Sequence, residues 1–93
     1  MATIRVPSAL RVLTGGASDI EVSAETVRDA LLELDRRHPG VAAMVLDGAS
    51  NVKPFIRIYV GADDIGALSG LDTKVGERDE IAIIPAIAGG RDA

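Results

Sequence analysis

The fold is decided by residues 26–40, whose sequence is TVRDALLELDRRHPG. Four of its apolar residues recur at the i, i+3, i+4, i+7 spacing of one helical face: Val27, Ala30, Leu31 and Leu34. Thr26 followed by Asp29 resembles a capping box that starts the helix, and Ser23 is a competing cap. Pro39 and Gly40 end it. The stretch therefore predicts one amphipathic helix with a buried stripe.

Strand patterns flank this helix on both sides. Upstream, residues 3–6 and 19–22 alternate polar and apolar side chains, which predicts an antiparallel hairpin with a long, irregular connection. Downstream, residues 55–60 form the strongest strand pattern in the chain. A final strand is predicted at residues 80–84, and Pro85 is expected to stop it.

The order of these elements predicts the fold class. An antiparallel pair leads into a crossover helix, a short helical turn at 41–46, a strand, an irregular segment at 65–75 and a last strand. This order predicts an α+β fold on the β-grasp plan, a mixed sheet of about four to five strands wrapped on one main helix. We expect residues 1–85 to form this single domain. Residues 86–93 show no structural period and are predicted to form a flexible C-terminal tail.

Composition and charge exclude several classes of function. The net charge of −4 opposes binding to phosphate backbones, and Phe55 and Tyr59 are the only aromatic residues on which bases could stack. We therefore expect no nucleic-acid partner. No apolar run approaches the roughly 18–20 residues that span a bilayer, and the first residues resemble no secretion signal. The expected location is the cytoplasm, with no membrane partner.

The sequence offers little catalytic machinery. The chain has no cysteine, so it supplies no thiolate nucleophile and no thiolate metal ligand. Its one histidine, His38, lies at the predicted helix end, where it is expected to interact with the helix dipole. The acidic pairs at 63–64 and 79–80 lie in predicted turns, where carboxylates are ordinary. We predict no metal site, no bound cofactor and no catalytic residue of its own.

The end of the chain resembles a known family. Residues 80–90, EIAIIPAIAGG, lead from the last predicted strand into Gly89-Gly90, as in the ubiquitin-like sulfur carriers of the ThiS and MoaD type. Further matches lie along residues 3–90: IRVP at 4–7, LR at 10–11, TGG at 14–16, the Thr26-Val27 helix start, RIYV at 57–60 and GERDE at 76–80. The front segments and the PAIAGG end are most similar to the actinobacterial carrier that serves cysteine synthesis.

The resemblance implies a protein co-substrate, which is not itself an enzyme. An E1-like adenylating and sulfurtransferase partner would use ATP to activate the Gly90 carboxylate and convert it to a thiocarboxylate. Gly89 and Gly90 suit this role because a thin, side-chain-free end can enter a narrow active site. A sulfur-accepting biosynthetic enzyme would then take the sulfur. Cysteine synthesis is our first choice of recipient pathway, and thiamine thiazole, molybdopterin and a sulfur-containing secondary metabolite stay open.

The chain departs from the simplest family pattern because Arg91, Asp92 and Ala93 follow Gly90. The Gly90 carboxyl is therefore an amide, which cannot be adenylated as a carboxylate can. The family resemblance implies that a zinc metalloprotease of the JAMM type removes this extension. A cloning remnant is the alternative origin of the tripeptide, and we favour a genomic extension.

Partner contacts are expected around the tail. The candidate residues combine the tail with two exposed-strand candidates: Pro85, Ala86, Ile87, Ala88, Phe55 and Arg57. Arg11 is a further candidate for the partner-facing side of the sheet. Two other functions fit the same tail. One is a ubiquitin-like modifier conjugated through Gly90, and the other is the small subunit of molybdopterin synthase; a purely structural domain or a toxin-like one is less favoured.

Overall fold

The computed structural model describes residues 1–49 and 51–85 of the chain. A five-stranded sheet is accompanied by two α-helices and three short 3₁₀ helices, η1 to η3. The elements in chain order are β1 (Ala2–Arg5), η1 (Ser8–Thr14), β2 (Asp19–Val22), α1 (Val27–Arg37), α2 (Val41–Val45), β3 (Ile56–Val60), β4 (Asp63–Asp64), η2 (Ile65–Ala67), η3 (Gly70–Asp72) and β5 (Glu80–Pro85). Among the helices of the described residues, none is long and apolar enough to cross a membrane.

The strand order in the sheet is β2-β1-β5-β3-β4, with the last strand in the centre. β5 runs parallel to β1, and every other neighbouring pair is antiparallel. The sheet is therefore mixed, as predicted. Because β1 and β5 are parallel, both strands end at the same edge of the sheet, and β3 begins there, where Ile56 lies opposite Pro85. We call this edge, which is formed by the ends of strands and not by an outermost strand, the tail-exit edge. Residue 86 follows β5 in the chain.

The core lies between the sheet and α1. The largest fully buried side chains come from both layers: Ile4, Leu31, Leu34, Ile58 and Ile81. The helical stripe predicted from the sequence is confirmed, because all four of its residues are buried. The Thr26 hydroxyl accepts a hydrogen bond from the Asp29 N–H at 3.1 Å, which makes Thr26 the cap and not Ser23.

The corner between α1 and α2 is fixed by one carboxylate and one glycine. The Asp35 side chain accepts hydrogen bonds from the N–H groups of Gly40 and Ala42, at 3.0 and 3.1 Å. Gly40 precedes α2 with a φ of 106°, a conformation that residues with a Cβ rarely adopt. The short helical turn predicted at 41–46 is confirmed as α2, and its buried Val41 and Val45 anchor it to the core.

We expect Gly40→Ala to lower the free energy of unfolding by about 1–3 kcal/mol, the usual cost of a strained backbone position. The added Cβ has room, because the nearest heavy atom is Leu13 Cδ2 at 3.7 Å, so the loss reports backbone strain. Gly48→Ala is the matched control, since Gly48 has no positive φ and no heavy atom within 4 Å of the added Cβ. Urea unfolding of both variants measures the difference; equal midpoints would contradict the assignment.

The structure corrects four expectations. The segment at 65–75, predicted as irregular, contains the 3₁₀ helices η2 and η3. The connection predicted as irregular between β1 and β2 contains η1, a seven-residue 3₁₀ helix whose Leu10 and Thr14 are buried. The predicted turn after β3 includes β4, which pairs with the end of β3. Pro85 does not stop β5 but belongs to it. A proline is tolerated at this position because β1 pairs with β5 only as far as Ala82, so no bond to β1 is lost.

Candidate functional site at the end of the last strand

The candidate site is built around the end of β5, from which the tail continues. Side chains alternate along this strand: Ile81 and Ile83 are buried in the core, whereas Ala82 is half-buried and Ile84 is 46% exposed on the opposite face. That face of the sheet is not covered by α1. The central strand therefore carries two small or aliphatic side chains on an open face, directly before residue 86.

A cation and an aromatic residue from β3 lie beside these two side chains. The antiparallel register places Arg57 opposite Ile84 and Tyr59 opposite Ala82. Arg57 is exposed and Tyr59 is half-buried. Neighbouring side chains on one face of an antiparallel pair contact each other. The result is an aliphatic centre with a guanidinium at its side.

On the other side of β5, two arginines are held in place by the fold. Arg5 Nε lies 2.9 Å from a carboxylate oxygen of Asp19, and Arg5 Nη1 lies 3.2 Å from Glu80. Arg11 Nε donates a hydrogen bond to the Val6 carbonyl oxygen at 3.1 Å, which ties η1 to the end of β1. A shallow depression of about 440 Å³ is lined by residues of β1, η1, β2, β5 and the loops between elements: Arg5, Val6, Pro7, Arg11, Ser18, Asp19, Gly61, Glu80, Ala82, Ile83 and Ile84.

Four residues predicted as partner contacts lie within the described chain. Three of them are at the tail-exit edge, and the fourth, Arg11, lies in η1. Pro85 ends β5. Phe55 directly precedes β3 and is 50% exposed, with Lys53 Nζ 6.0 Å from its ring centroid. Arg57 faces the open side of the sheet. The other predicted residues lie outside the described residues: Ala86, Ile87, Ala88, Gly89, Gly90, Arg91, Asp92 and Ala93.

One carboxylate of each acidic pair that was predicted to lie in a turn has a structural role. Asp64 Oδ1 accepts a hydrogen bond from the Gly66 N–H at 2.8 Å and caps η2. Asp79 Oδ2 accepts one from the Gly76 N–H at 2.7 Å, which closes the turn before β5. Within residues 1–49 and 51–85, no group of three His, Cys, Asp or Glu side chains is placed to hold a metal ion.

The sequence prediction did not include Ala82 and Ile84 among the site residues. Their signal was present, since the alternation along β5 places every second residue on one face. What the pattern could not tell is which face the helix covers. The pairing of Arg57 with Ile84 depends on strand register, which is set by contacts between distant parts of the chain.

Comparison with known proteins adds three findings of similarity. The sulfur carrier protein CysO of Mycobacterium tuberculosis is 32% identical over 90 residues, which cover 95% of this chain and 97% of that protein. CysO in the crystal structure of the Amycolatopsis orientalis BexX/CysO complex superimposes with a TM-score of 0.91 at 32% identity, over 97% of this chain and 100% of that one. Small archaeal modifier protein 1 of Methanosarcina acetivorans, solved in solution, gives 0.80 at 28% identity, over 96% and 95%.

The family model of the ThiS family matches residues 4–90, which include all the described strands except the first two residues of β1. The match continues to Gly90 and stops before Arg91. With this match and the fold shared with CysO, the chain belongs to the ThiS family and has the β-grasp fold.

Proposed function

We propose that this protein is a sulfur carrier whose working group is the carboxyl of Gly90. The observation that carries the proposal is the position of β5. The strand lies in the centre of the sheet, bears Ala82 and Ile84 on the open face, and ends at the point from which residues 86–90 lead to Gly89-Gly90. The match of the ThiS family to residue 90 and the similarity to the sulfur carrier CysO support the same reading.

The chemistry has two steps, both performed by an E1-like partner. An oxygen of the Gly90 carboxylate attacks the α-phosphorus of ATP, pyrophosphate leaves, and the carboxyl becomes an acyl-adenylate. A sulfide nucleophile then attacks the acyl carbon, AMP leaves with the bonding electrons, and a thiocarboxylate stays on Gly90. The chain itself is a co-substrate and not an enzyme. It contains no cysteine, so the sulfur comes from the partner's side of the reaction.

The extension after Gly90 makes activation conditional. A JAMM-type metalloprotease hydrolyses the amide between Gly90 and Arg91, and water supplies the second carboxylate oxygen. The thiocarboxylate then gives its sulfur to a biosynthetic enzyme. Cysteine synthesis is the recipient pathway that the similarity to CysO favours, and another sulfur-containing metabolite is the alternative product.

The test uses a chain that ends at Gly90, an E1-like enzyme from the same organism, ATP and a sulfide source. We expect intact-mass measurement to show the replacement of one oxygen by one sulfur. The gain must depend on ATP and must be absent from a chain truncated after Ala88. A chain ending at Gly90 that consumes no ATP and keeps its mass with this enzyme contradicts the proposal.

A second candidate function is supported by the similarity to small archaeal modifier protein 1. In a protein modifier, a lysine amine in place of sulfide attacks the same acyl-adenylate, and an isopeptide bond forms. The two functions give different products. Conjugates of high molecular weight that survive reducing denaturation favour the modifier, whereas a thiol-reactive C-terminus favours the carrier.

A further inference from the structure

Four elements are linked to one another near the tail-exit edge, and we call them the ring: β5, β3, α2 and η1. Arg11 of η1 and Ile84 of β5 line the same depression. Next to them, Ile56 of β3 pairs with Pro85 of β5. The Lys53 N–H donates to the Val45 carbonyl oxygen of α2 at 2.9 Å, so the segment before β3 is tied to α2.

The elements α2 and η1 contact each other directly. Gly40, at the start of α2, lies against the side chain of Leu13 in η1, whose carbons are 3.7 and 3.9 Å from the position of an added Cβ. The strand that precedes residue 86, β5, is therefore one member of this ring. Two of these elements belong to the sheet and two belong to the helical side.

Exposed apolar side chains are concentrated on this ring. Seven large hydrophobic residues of the described chain are clearly exposed, and four of them lie on ring elements or directly before one: Val12 at 84%, Met44 at 48%, Phe55 at 50% and Ile84 at 46%. We call these four the collar. Val12 and Met44 are on the helical side, where η1 and α2 already bury Leu10, Val41 and Val45. Exposed side chains such as Val12 contribute little to the core, and exposed apolar groups around one point mark a surface for a protein partner.

The length of the tail limits how far a partner can stand from the collar. Gly90 is the fifth residue after Pro85, and a fully extended chain covers at most about 3.3–3.6 Å per residue. Gly90 thus reaches no more than about 18 Å from the end of β5. The domain itself measures 36 × 30 × 25 Å, so this reach is shorter than each of its dimensions. An enzyme that encloses Gly90 must come against the tail-exit edge.

We infer that the activating enzyme docks on the whole collar, so that the helical side of the edge, through Val12 and Met44, contributes to binding together with the sheet face. The inference rests on the proposed function, because it names the surface that presents Gly90 to the enzyme that adenylates it. The complementary surface is an apolar rim around the entrance to the nucleotide site. This arrangement suits an ATP-dependent step, because an enzyme bound over the collar excludes water from the acyl-adenylate.

The test measures adenylation of chains that end at Gly90, as ATP-dependent pyrophosphate release with the E1-like enzyme. Val12→Asp and Met44→Asp each place a carboxylate in the apolar contact. We expect each change to lower kcat/KM about tenfold, the effect of about 1.4 kcal/mol, mainly through a higher KM. Val12→Ser and Met44→Ser, which add no charge, are expected to show a smaller loss in the same direction.

Two matched controls carry the same type of change away from the ring. Leu68 is 48% exposed, as Met44 is, and Leu32 is 53% exposed on the outer side of α1 beside Glu25. We expect Leu68→Asp and Leu32→Asp to stay within about twofold of the unchanged chain, and all variants to show thermal unfolding close to it. Equal rates for collar and control variants overturn the inference, while adenylation of the unchanged chain still upholds the proposed function. If the unchanged chain is not adenylated, both the inference and the proposed function are contradicted.

Discussion

A chain that keeps Arg91, Asp92 and Ala93 is expected to gain no sulfur under conditions in which the chain ending at Gly90 is converted completely. In the uncut chain the Gly90 carbonyl is part of an amide, whose nitrogen lone pair is delocalised into the carbonyl group. The amide oxygen carries no full negative charge and cannot form the acyl-adenylate that a carboxylate forms. The difference between the two chains should therefore be all or none.

Intact-mass measurement of both chains with the E1-like enzyme, ATP and a sulfide source makes this comparison. Adding the metalloprotease to the uncut chain should first remove the mass of the tripeptide and then allow the gain of sulfur. Gly90→Val in the uncut chain tests whether the protease needs the small residue, because a β-branched side chain narrows the access to the amide carbonyl. Sulfur found on a chain that still carries Ala93 would show that no cleavage is required.

The helix and the strands were predictable because their signals are local. The apolar residues of the α1 stripe recur about once in every helical turn, and the Thr26 cap lies three residues from its partner Asp29. The alternation in β3 and β5 likewise needs only neighbouring residues. These signals were sufficient to predict a mixed sheet with one main helix, which the structure confirms.

The rest depends on contacts between distant residues. The end of β5 could not be predicted from Pro85 alone, because a proline is excluded only where a ladder bond is required, and β1 stops at Arg5. The seven residues of η1 show no clear hydrophobic period in the sequence. Their helix is held by the packing of Leu10 and by the hydrogen bond from Arg11 to the Val6 carbonyl oxygen. The collar also joins residues from four segments, and no local pattern brings them together.

The prediction for Gly89 and Gly90 had another basis. The residues were singled out by their position after an apolar strand and by the family resemblance, and they lie outside the described residues. The sequence match extends to Gly90. The structure adds the origin of the tail, which is the centre of the sheet. The role of Gly90 itself stays a prediction for the mass measurements above.

Ile84→Asp is expected to lower kcat/KM for adenylation of the chain ending at Gly90 by about 30-fold, the effect of a hot-spot residue worth about 2 kcal/mol. The change has two consequences on the open face. It removes the aliphatic side chain nearest to the tail, and it places a carboxylate opposite Arg57 on the neighbouring strand. Opposite charges in this register attract each other, so Arg57 is no longer free to contact an acidic partner group.

The same cross-strand attraction offsets part of the low strand propensity of aspartate, which keeps the variant folded. Its thermal unfolding should therefore stay close to that of the unchanged chain while its KM rises. Arg57→Glu separates the two consequences, because it reverses the charge and leaves Ile84 in place. Arg78→Glu makes the same charge change in the turn before β5, at the opposite edge of the sheet, and should leave KM unchanged. If Ile84→Asp is adenylated as fast as Arg78→Glu, the open face of the sheet is not where the activating enzyme binds.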